Sequence, residues 1–347
     1  MDLDARKYKI LKAIIDDYIL TAMPVGSRTI SKKYDMGLSS ATIRNEMSDL
    51  EELGYLDQPH TSAGRVPSWK AYRLYVDQLM RVASLPPADN QRLREIFQSS
   101  MDSVEDVLTA ATRALSELTD YTGVMIAPSA GRLKRVQLVP ITETTALMVT
   151  VTENGVHKDS IIPVAPDVSP EHLYMLSNYL TERLQGKTLD QVMSALQELL
   201  GEMGRHRALF LRLMDSLVKQ MEPDKNAVVV GGTSKLLFHP EYSDIERARS
   251  LLTTLETKEK LASLLAQRAG LSFSITIGPE LQLPGMQDCS LVTVSYALGG
   301  GTGTGTMGVI GPTRMQYARV LSVLDAMRKA LSDTTNRRDC LLYTSDA

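Results

Sequence analysis

The chain has 347 residues, of which 43% are hydrophobic and 23% charged, a balance typical of globular proteins and a length sufficient for two or three domains. A formal net charge of −3 excludes nucleic-acid binding through a general excess of positive charge, so any such binding depends on where the charges lie. Two distant cysteines and scattered histidines exclude a disulfide framework and a recognisable metal-ligand spacing. With a charged N-terminus unlike a signal peptide and no long apolar run, we expect a cytoplasmic protein with no cofactor and no membrane association.

The first 85 residues carry the pattern of three helices followed by a hairpin. Apolar side chains recur on one face through residues 5–21, as in an amphipathic helix. Ser27 is placed to cap a short second helix, and Ser39 or Ser40 to begin a third that stops at Gly54. This order predicts a winged helix-turn-helix. The predicted elements are helices over 5–21, Ser27–Tyr34 and Ser39–Gly54, strands over Tyr55–Gln58 and Arg65–Pro67, and a further helix through Tyr72, Tyr75, Val76 and Leu79.

Pro86 and Pro87 mark the end of this first unit, and the rest of the chain has the mixed pattern of an α+β protein. Short apolar or alternating runs predict strands, and longer amphipathic stretches predict helices. Glu153-Asn154-Gly155 has the composition of a hairpin turn. The predicted elements are a helix over 102–119, strands over Arg135–Ile141, Ala146–Thr152 and Val156–Val164, mainly helical residues 169–222, a strand over Ala227–Val230, helical residues 243–269, strands over Phe273–Ile277, Leu291–Tyr296 and Thr306–Ile310, and a last helix that includes Tyr317 and Leu331.

The third predicted helix has two faces of different character. Ile43, Met47 and Leu50 fall on one side, where they can pack against the first helix. The other side holds Arg44 and Asn45 among small residues, with acidic residues towards its C-terminal end. Small residues permit close approach to the major groove, and Arg and Asn can pair with guanine and adenine edges. The pattern therefore favours a DNA-recognition helix, although a solvated helix face or a protein-binding winged helix would share much of it.

Candidate DNA contacts extend beyond this helix to the hairpin tip, which combines hydroxyl groups, a flexible glycine and a cation suited to phosphate or the minor groove. Arg44 and Asn45 are expected to contact base edges, and Arg65 to bind from the wing. The residues expected near the DNA backbone are Ser39, Ser40 and Thr42. The complete set of candidate DNA-binding residues is Arg28, Ser39, Ser40, Thr42, Arg44, Asn45, Ser48, His60, Thr61 and Arg65.

Several longer motifs together span almost the whole chain. They are Pro24-Val25-Gly26-Ser27-Arg28, Ser39-Ser40-Ala41-Thr42-Ile43-Arg44-Asn45-Glu46-Met47, Leu53-Gly54-Tyr55-Leu56, Pro59-His60-Thr61-Ser62-Ala63-Gly64-Arg65-Val66-Pro67, Pro240-Glu241-Tyr242-Ser243-Asp244, Ile277-Gly278-Pro279-Glu280 and Gly311-Pro312-Thr313-Arg314-Met315-Gln316-Tyr317. These motifs resemble the heat-inducible transcription repressor family HrcA.

The resemblance implies a bacterial repressor that binds an inverted-repeat operator of chaperone operons in double-stranded DNA, and whose activity a chaperonin maintains. It also implies a homodimer built from a winged helix and a GAF-like domain that an inserted dimerisation domain interrupts. Fitted to the predicted elements, these would be residues 1–85, residues 100–185 with 266–332, and residues 186–265. Residues 336–347 depart from the family pattern and are set aside as an appended tail.

Two other functions remain open at this stage. A GAF-like domain could bind a small ligand that controls DNA binding, although no cluster of polar side chains identifies such a ligand. The glycine-rich segment Gly299–Gly305 could suggest a phosphate-binding loop of an enzyme, but it lacks the Gly-Lys-Ser/Thr ending, and a flexible hairpin is the favoured interpretation. We therefore expect a repressor rather than an enzyme.

Overall fold

A computed structural model describes residues 3–60, 63–82, 84–98, 104–128, 131–153, 157–200, 207–221, 228–297 and 304–342. Thr61, the turn residues Asn154 and Gly155, and the glycine-rich segment up to residue 303 lie outside them. The described chain forms an N-terminal unit, a five-stranded sheet with helices on both faces, and a three-stranded sheet with helices on one face. This mixed α and β content is as expected.

The N-terminal unit, residues 3–79, contains helices α1, α2 and α3, a hairpin and a short helix α4 that continues as one π-helical turn over Tyr75–Leu79. The prediction that Ser27 caps α2 is wrong, because Gly26 has the extended backbone of the cap residue while Ser27 is buried inside the first turn. Ser39 does cap α3: its Oγ accepts a hydrogen bond from the Thr42 N–H at 3.1 Å. The elements are α1 (Ala5–Thr21), α2 (Ser27–Lys33), α3 (Ser40–Glu52), β1 (Leu56–Asp57), β2 (Val66–Pro67) and α4 (Trp69–Leu74).

The hairpin is extended by the segment that leads into α2. Val25 and Arg65 exchange two backbone hydrogen bonds of 2.9 Å, so Val25 pairs with the chain just before β2. Gly64 makes this approach possible, because a Cβ there would lie 2.5 Å from the carbonyl oxygen of Val25. The helices and the hairpin are thereby held together by backbone hydrogen bonds as well as by the apolar core.

The sheet domain is built on five antiparallel strands in the order β7-β3-β10-β9-β8. Helices α6 and α12 cover one face and α10 and α11 the other, while α5 packs on α6 and α12. The elements are α5 (Pro87–Gln98), α6 (Val104–Thr119), β3 (Thr122–Ile126), β7 (Val228–Gly231), α10 (Ile245–Glu256), α11 (Lys258–Ala266), β8 (Ser274–Ile277), β9 (Cys289–Ala297), β10 (Thr304–Pro312) and α12 (Tyr317–Leu342).

A central insert, residues 133–221, leaves the sheet domain after β3 and returns before β7 with a hydrophobic core of its own. Its three antiparallel strands follow the order β4-β5-β6, and its helices bury one face of that sheet. The elements are β4 (Leu133–Thr142), β5 (Thr145–Thr152), β6 (His157–Pro163), α7 (Pro170–Leu184), α8 (Leu189–Leu200) and α9 (Arg207–Met221).

The separate core therefore begins about 50 residues before the expected insert of 186–265, and residues 228–265 pack with the five-stranded sheet. The difference has a physical reason: alternating patterns predicted strands β4, β5 and β6 but carry no information about which sheet a strand joins. Helix α5 and strand β3 were not predicted. All five residues of β3 are buried, so the strand lacks the alternation by which a half-exposed strand is recognised. Helix α12 continues to Leu342, into the segment set aside as a tail.

Candidate nucleic-acid interface

Helix α3 is seated in the N-terminal unit by its apolar face. Ile43, Met47 and Leu50 are buried, and α3 packs on α1, α2 and the first strand of the hairpin. Burying each such side chain contributes about 1.5–3 kcal/mol, enough to fix which face of a 13-residue helix points outward. The predicted division of this helix into two faces is confirmed.

The acidic side chains of α3 are neutralised by neighbouring cations. Glu46 lies 2.8 Å from the Lys7 ammonium and 3.3 Å from the Arg6 guanidinium, and Asp49 lies 2.9 Å from Lys7. The hydrogen bonds that Lys7 donates to Glu46 and then to Asp49 raise the pKa of Lys7 above its ordinary value. Two carboxylates that would repel DNA phosphates are thus paired on the side of α3 that faces α1.

A third carboxylate of α3 binds the hairpin. Glu51 accepts hydrogen bonds from Arg65, whose Nε lies 2.8 Å and whose terminal nitrogen lies 2.7 Å from the Glu51 carboxylate. Arg65, predicted as a cation for the DNA backbone, is thus half-buried and already paired. Sequence reasoning placed Glu51 only in the acidic end of the helix and missed this contact, which joins residues 14 positions apart.

The outward face of α3 carries Arg44, Asn45 and Ser48, which are all exposed. Within the part of the chain that the structure describes, these three side chains have no hydrogen bond or ion pair with protein groups. Arg28 is exposed at the start of α2, which packs against α3. Arg44, Asn45 and Ser48 therefore form a set of hydrogen-bond donors on one face of α3 that is available to an external partner.

The remaining candidates lie at the two ends of this surface. At the start of α3, Ser39 is exposed while Ser40 and Thr42 are half-buried, and the hydroxyl groups of Ser39 and Thr42 lie 2.9 Å apart. Ser39 is thus engaged in capping, and either hydroxyl of the Ser39–Thr42 pair can be the donor. His60 is exposed beside the hairpin tip, and Thr61 lies outside the described residues.

Lys70 is a cation that sequence reasoning did not single out. Its ammonium donates to the Leu53 carbonyl at 2.9 Å and lies 4.4 Å from the centre of the Tyr55 ring. It thereby braces the start of α4 against the end of α3. No local pattern in the sequence indicates this contact.

Two arginines join the N-terminal unit to the sheet domain. Arg73 of α4 binds Glu280 through two nitrogens, at 3.0 and 2.6 Å, and donates to the Ile275 carbonyl at 2.6 Å. From the other side, Arg314 pairs with Glu241 and donates to the Ile19 carbonyl of α1 at 3.1 Å. The motifs around Glu241, Glu280 and Arg314 thus meet at this junction rather than at a separate binding site.

Among the described residues no group of three His, Cys, Asp or Glu side chains is arranged to hold a metal ion. Within the same ranges, no helix combines the length and the apolar character that crossing a membrane requires. The part of the glycine-rich segment before Thr304 lies outside the described residues, and strands β9 and β10 pair antiparallel.

Comparison with known proteins identifies a family of similar sequences. Residues 105–321 match the family model described as the HrcA protein C terminal domain. The chain is 42% identical over 339 residues to the heat-inducible transcription repressor HrcA of Moorella thermoacetica, covering 96% of this chain and 98% of that relative. It is 41% identical to the HrcA of Symbiobacterium thermophilum, covering 95% of this chain and 98% of the relative. A crystal structure of a protein described only as hypothetical shares 25% identity and a TM-score of 0.58, over 97% of this chain and 99% of that one.

Proposed function

The chain belongs to the HrcA family of heat-inducible transcription repressors, and on that premise we propose that it binds an inverted-repeat DNA operator as a homodimer. In this proposal residues 3–79 act as a winged helix-turn-helix, and the five-stranded sheet with its helices is a GAF-like domain. Membership of this family places the protein among transcription repressors and not among enzymes.

The observation that carries the proposal is the free outward face of α3. Arg44 and Asn45 are exposed and unengaged, whereas Glu46, on the opposite side of the helix, is buried against cations. In the major groove, Arg44 would donate two hydrogen bonds to guanine, and Asn45 would pair with adenine. Such contacts discriminate between bases by about 1–3 kcal/mol each. Ser48 lies one turn further along α3, and its small side chain would permit the helix to approach the base pairs closely.

The DNA backbone would be bound around this helix. The start of α3 offers free N–H groups and the hydroxyls of Ser40 and Thr42, which favour phosphate. Arg28 would reach a phosphate from α2, and His60 and Thr61 from the wing. Arg65 would contact phosphate only by sharing its guanidinium with Glu51 or by leaving it.

The homodimer is proposed to form through the central insert. On the sheet face that its helices leave uncovered, Val139, Leu147 and Ile161 lie side by side across β4, β5 and β6. Val139 is 39% exposed and Ile161 68% exposed, so this row offers apolar area to a second copy. A two-fold symmetric dimer matches a two-fold symmetric operator.

Control by a chaperonin is proposed on the family resemblance alone. A chaperonin that returns unfolded chains to the native form raises the fraction of active repressor. When heat fills the chaperonin with other unfolded proteins, that fraction falls and the operon is transcribed.

A gel-shift experiment tests the proposal. The purified protein is mixed with an inverted-repeat duplex from a chaperone promoter, with and without chaperonin, against scrambled competitor. We expect a specific shift, and we expect chaperonin to increase the fraction of DNA that is shifted. Arg44→Ala should weaken the free energy of operator binding by about 1–3 kcal/mol. Arg113→Ala, which removes an exposed arginine of α6, is the control and should bind normally. If folded, dimeric protein gives no specific shift under either condition, the proposed operator binding is wrong and a ligand-dependent regulator becomes the better hypothesis.

A further inference from the structure

The contact between the N-terminal unit and the sheet domain has an apolar centre with an arginine on each side. In the centre, the rings of Tyr72 and Tyr317 lie 6.3 Å apart and both side chains are buried. Arg73 extends from the N-terminal unit to the sheet domain, and Arg314 extends in the opposite direction. Two separate charged contacts prevent a rotation about the centre that one contact would allow.

Each arginine is held by more than one acceptor. Arg73 forms a bidentate ion pair with Glu280. The Glu280 carboxylate also accepts a hydrogen bond from the Ile277 N–H at 2.8 Å and is therefore fixed in place. Arg314 is only 11% exposed and donates to the Ile19 carbonyl, near the end of α1 where carbonyl groups lack helical partners and a cation is favoured. Such pairs are strongly directional.

The junction leaves the DNA-facing surface uncovered. It uses α4 and the C-terminal end of α1, whereas α3 packs on α1, α2 and β1 within the N-terminal unit. The two arginines therefore set the direction in which α3 points relative to the rest of the protomer without contacting DNA themselves.

The Tyr72 hydroxyl is buried at the same junction and has no hydrogen-bond partner among the described residues. An unpaired buried hydroxyl destabilises the folded protein, because it loses its hydrogen bonds to water without replacement. The apolar centre is thus weaker than its area suggests, and the fixed angle depends correspondingly more on the two arginines.

We propose that Arg73 and Arg314 are positioning residues that fix the angle between the N-terminal unit and the sheet domain, and thereby set the half-site spacing that the dimer accepts. This inference rests on the proposed dimeric binding of an inverted repeat. A dimer with rigidly held recognition helices fits half-sites at one separation on the DNA helix. A dimer with swivelling units would tolerate several separations, but would lose affinity for the best one because ordering the units on binding has a cost.

The experiment measures angle and spacing independently. For the angle, spin labels are placed at Lys9→Cys in α1 and Glu259→Cys in α11, both exposed positions, in a Cys340→Ser background; Cys289 is buried. Electron–electron distance measurements without DNA compare the otherwise unchanged protein with Arg73→Gln/Arg314→Gln. We expect a narrow distance distribution in the first and a broad one in the second, with Arg113→Gln, which breaks an exposed pair within α6, unchanged from the first.

For the spacing, the unlabelled proteins bind an inverted-repeat duplex selected from random sequence and the same duplex with five base pairs inserted at its centre, about half a helical turn. The insertion should weaken binding by the wild type about 100-fold, because only one unit can then be engaged, and by the double variant less than about tenfold. Affinity for an isolated half-site should be equal in both.

Each result has a defined meaning. An unchanged distance distribution in a folded double variant overturns the inference whatever the DNA result, as does a broadened distribution with unchanged discrimination between the two duplexes. If the wild type selects no inverted repeat, dimeric operator binding itself fails, and the role in spacing fails with it even where the distances broaden. If the double variant does not fold, Arg73→Gln alone, at the more exposed of the two contacts, is measured in the same way.

Discussion

Arg65 of the hairpin and Glu51 on α3 are joined through two nitrogens of the arginine, at 2.8 and 2.7 Å from one carboxylate oxygen. The hairpin is thus tied to α3 by an arginine that, under the proposed function, would otherwise be free to bind a DNA phosphate. Under the same proposal, the pair lowers the affinity for phosphate and holds the hairpin in a fixed position against α3.

Glu51→Gln should strengthen DNA binding, because it removes one negative charge and frees Arg65 for phosphate. The dependence of log affinity on log salt should steepen by about one unit, while the free energy of unfolding falls by no more than about 1 kcal/mol because the pair is partly solvated. Gel shifts at several salt concentrations measure this. Glu52→Gln is the matched control, since it removes the same charge from an exposed neighbour; an equally steep slope in the control would show that Arg65 is not released.

Gly64→Ala should destabilise the N-terminal unit by more than about 2 kcal/mol, because the added methyl group would meet the Val25 carbonyl and separate the hairpin from the chain before α2. Thermal unfolding measures the loss, and DNA affinity should fall with it. Gly26→Ala is the comparison: its nearest neighbour atom is 3.9 Å away, so only a capping effect of up to about 1 kcal/mol is expected. Similar losses in the two variants would argue against the steric explanation.

Tyr72→Phe should raise the free energy of unfolding by about 1 kcal/mol, because it removes a buried hydroxyl that has no partner among the described residues. Tyr75→Phe should have the opposite effect, since the Tyr75 hydroxyl donates to Asp16 at 2.9 Å. Chemical denaturation of both variants decides the matter. A destabilised Tyr72→Phe would mean that this hydroxyl has a hydrogen-bond partner in solution.

Stability should decrease as pH falls below about 6.5, the ordinary pKa of histidine, because burial lowers the pKa of His239 in the folded protein. The ring stacks on Tyr121 with centroids 5.2 Å apart, which leaves its charged form poorly solvated. Below 6.5 the unfolded chain binds the proton more readily than the folded chain, so unfolding is favoured until the pH passes the lowered pKa. Unfolding temperatures from pH 7.5 to 5.5 should fall less in His239→Gln than in the wild type. His60→Gln, at an exposed histidine, should follow the wild type; if His239→Gln does so too, His239 is not the group responsible.

The sequence was most informative where structure is local. The bounds of α1 and α3, the cap at Ser39 and the outward face with Arg44 and Asn45 follow from helical periodicity and capping chemistry, which depend on residues within a few positions of one another. The strands β9 and β10 were also predicted, because a short apolar run is likewise a local pattern. The exception was Ser27, where a good capping residue lies next to a glycine that takes the cap position.

Contacts between distant residues were beyond such reasoning. Strand β3 is buried on both faces and lacks a period, and the limits of the central insert depend on which strands pair with which. The pair of Arg73 with Glu280 joins residues 207 positions apart, and no local pattern indicates it.

The sequence by itself thus determined the helices other than α5, the strands other than β3, the two faces of α3 and the family. Only the tertiary structure decided that Glu51 engages Arg65 and that Glu46 is paired with Lys7. It also decided that the motifs around Glu280 and Arg314 meet at the junction with the N-terminal unit. The physical reason is that periodicity and capping are set by neighbouring residues, whereas an ion pair or a strand pairing depends on how folding brings remote segments together.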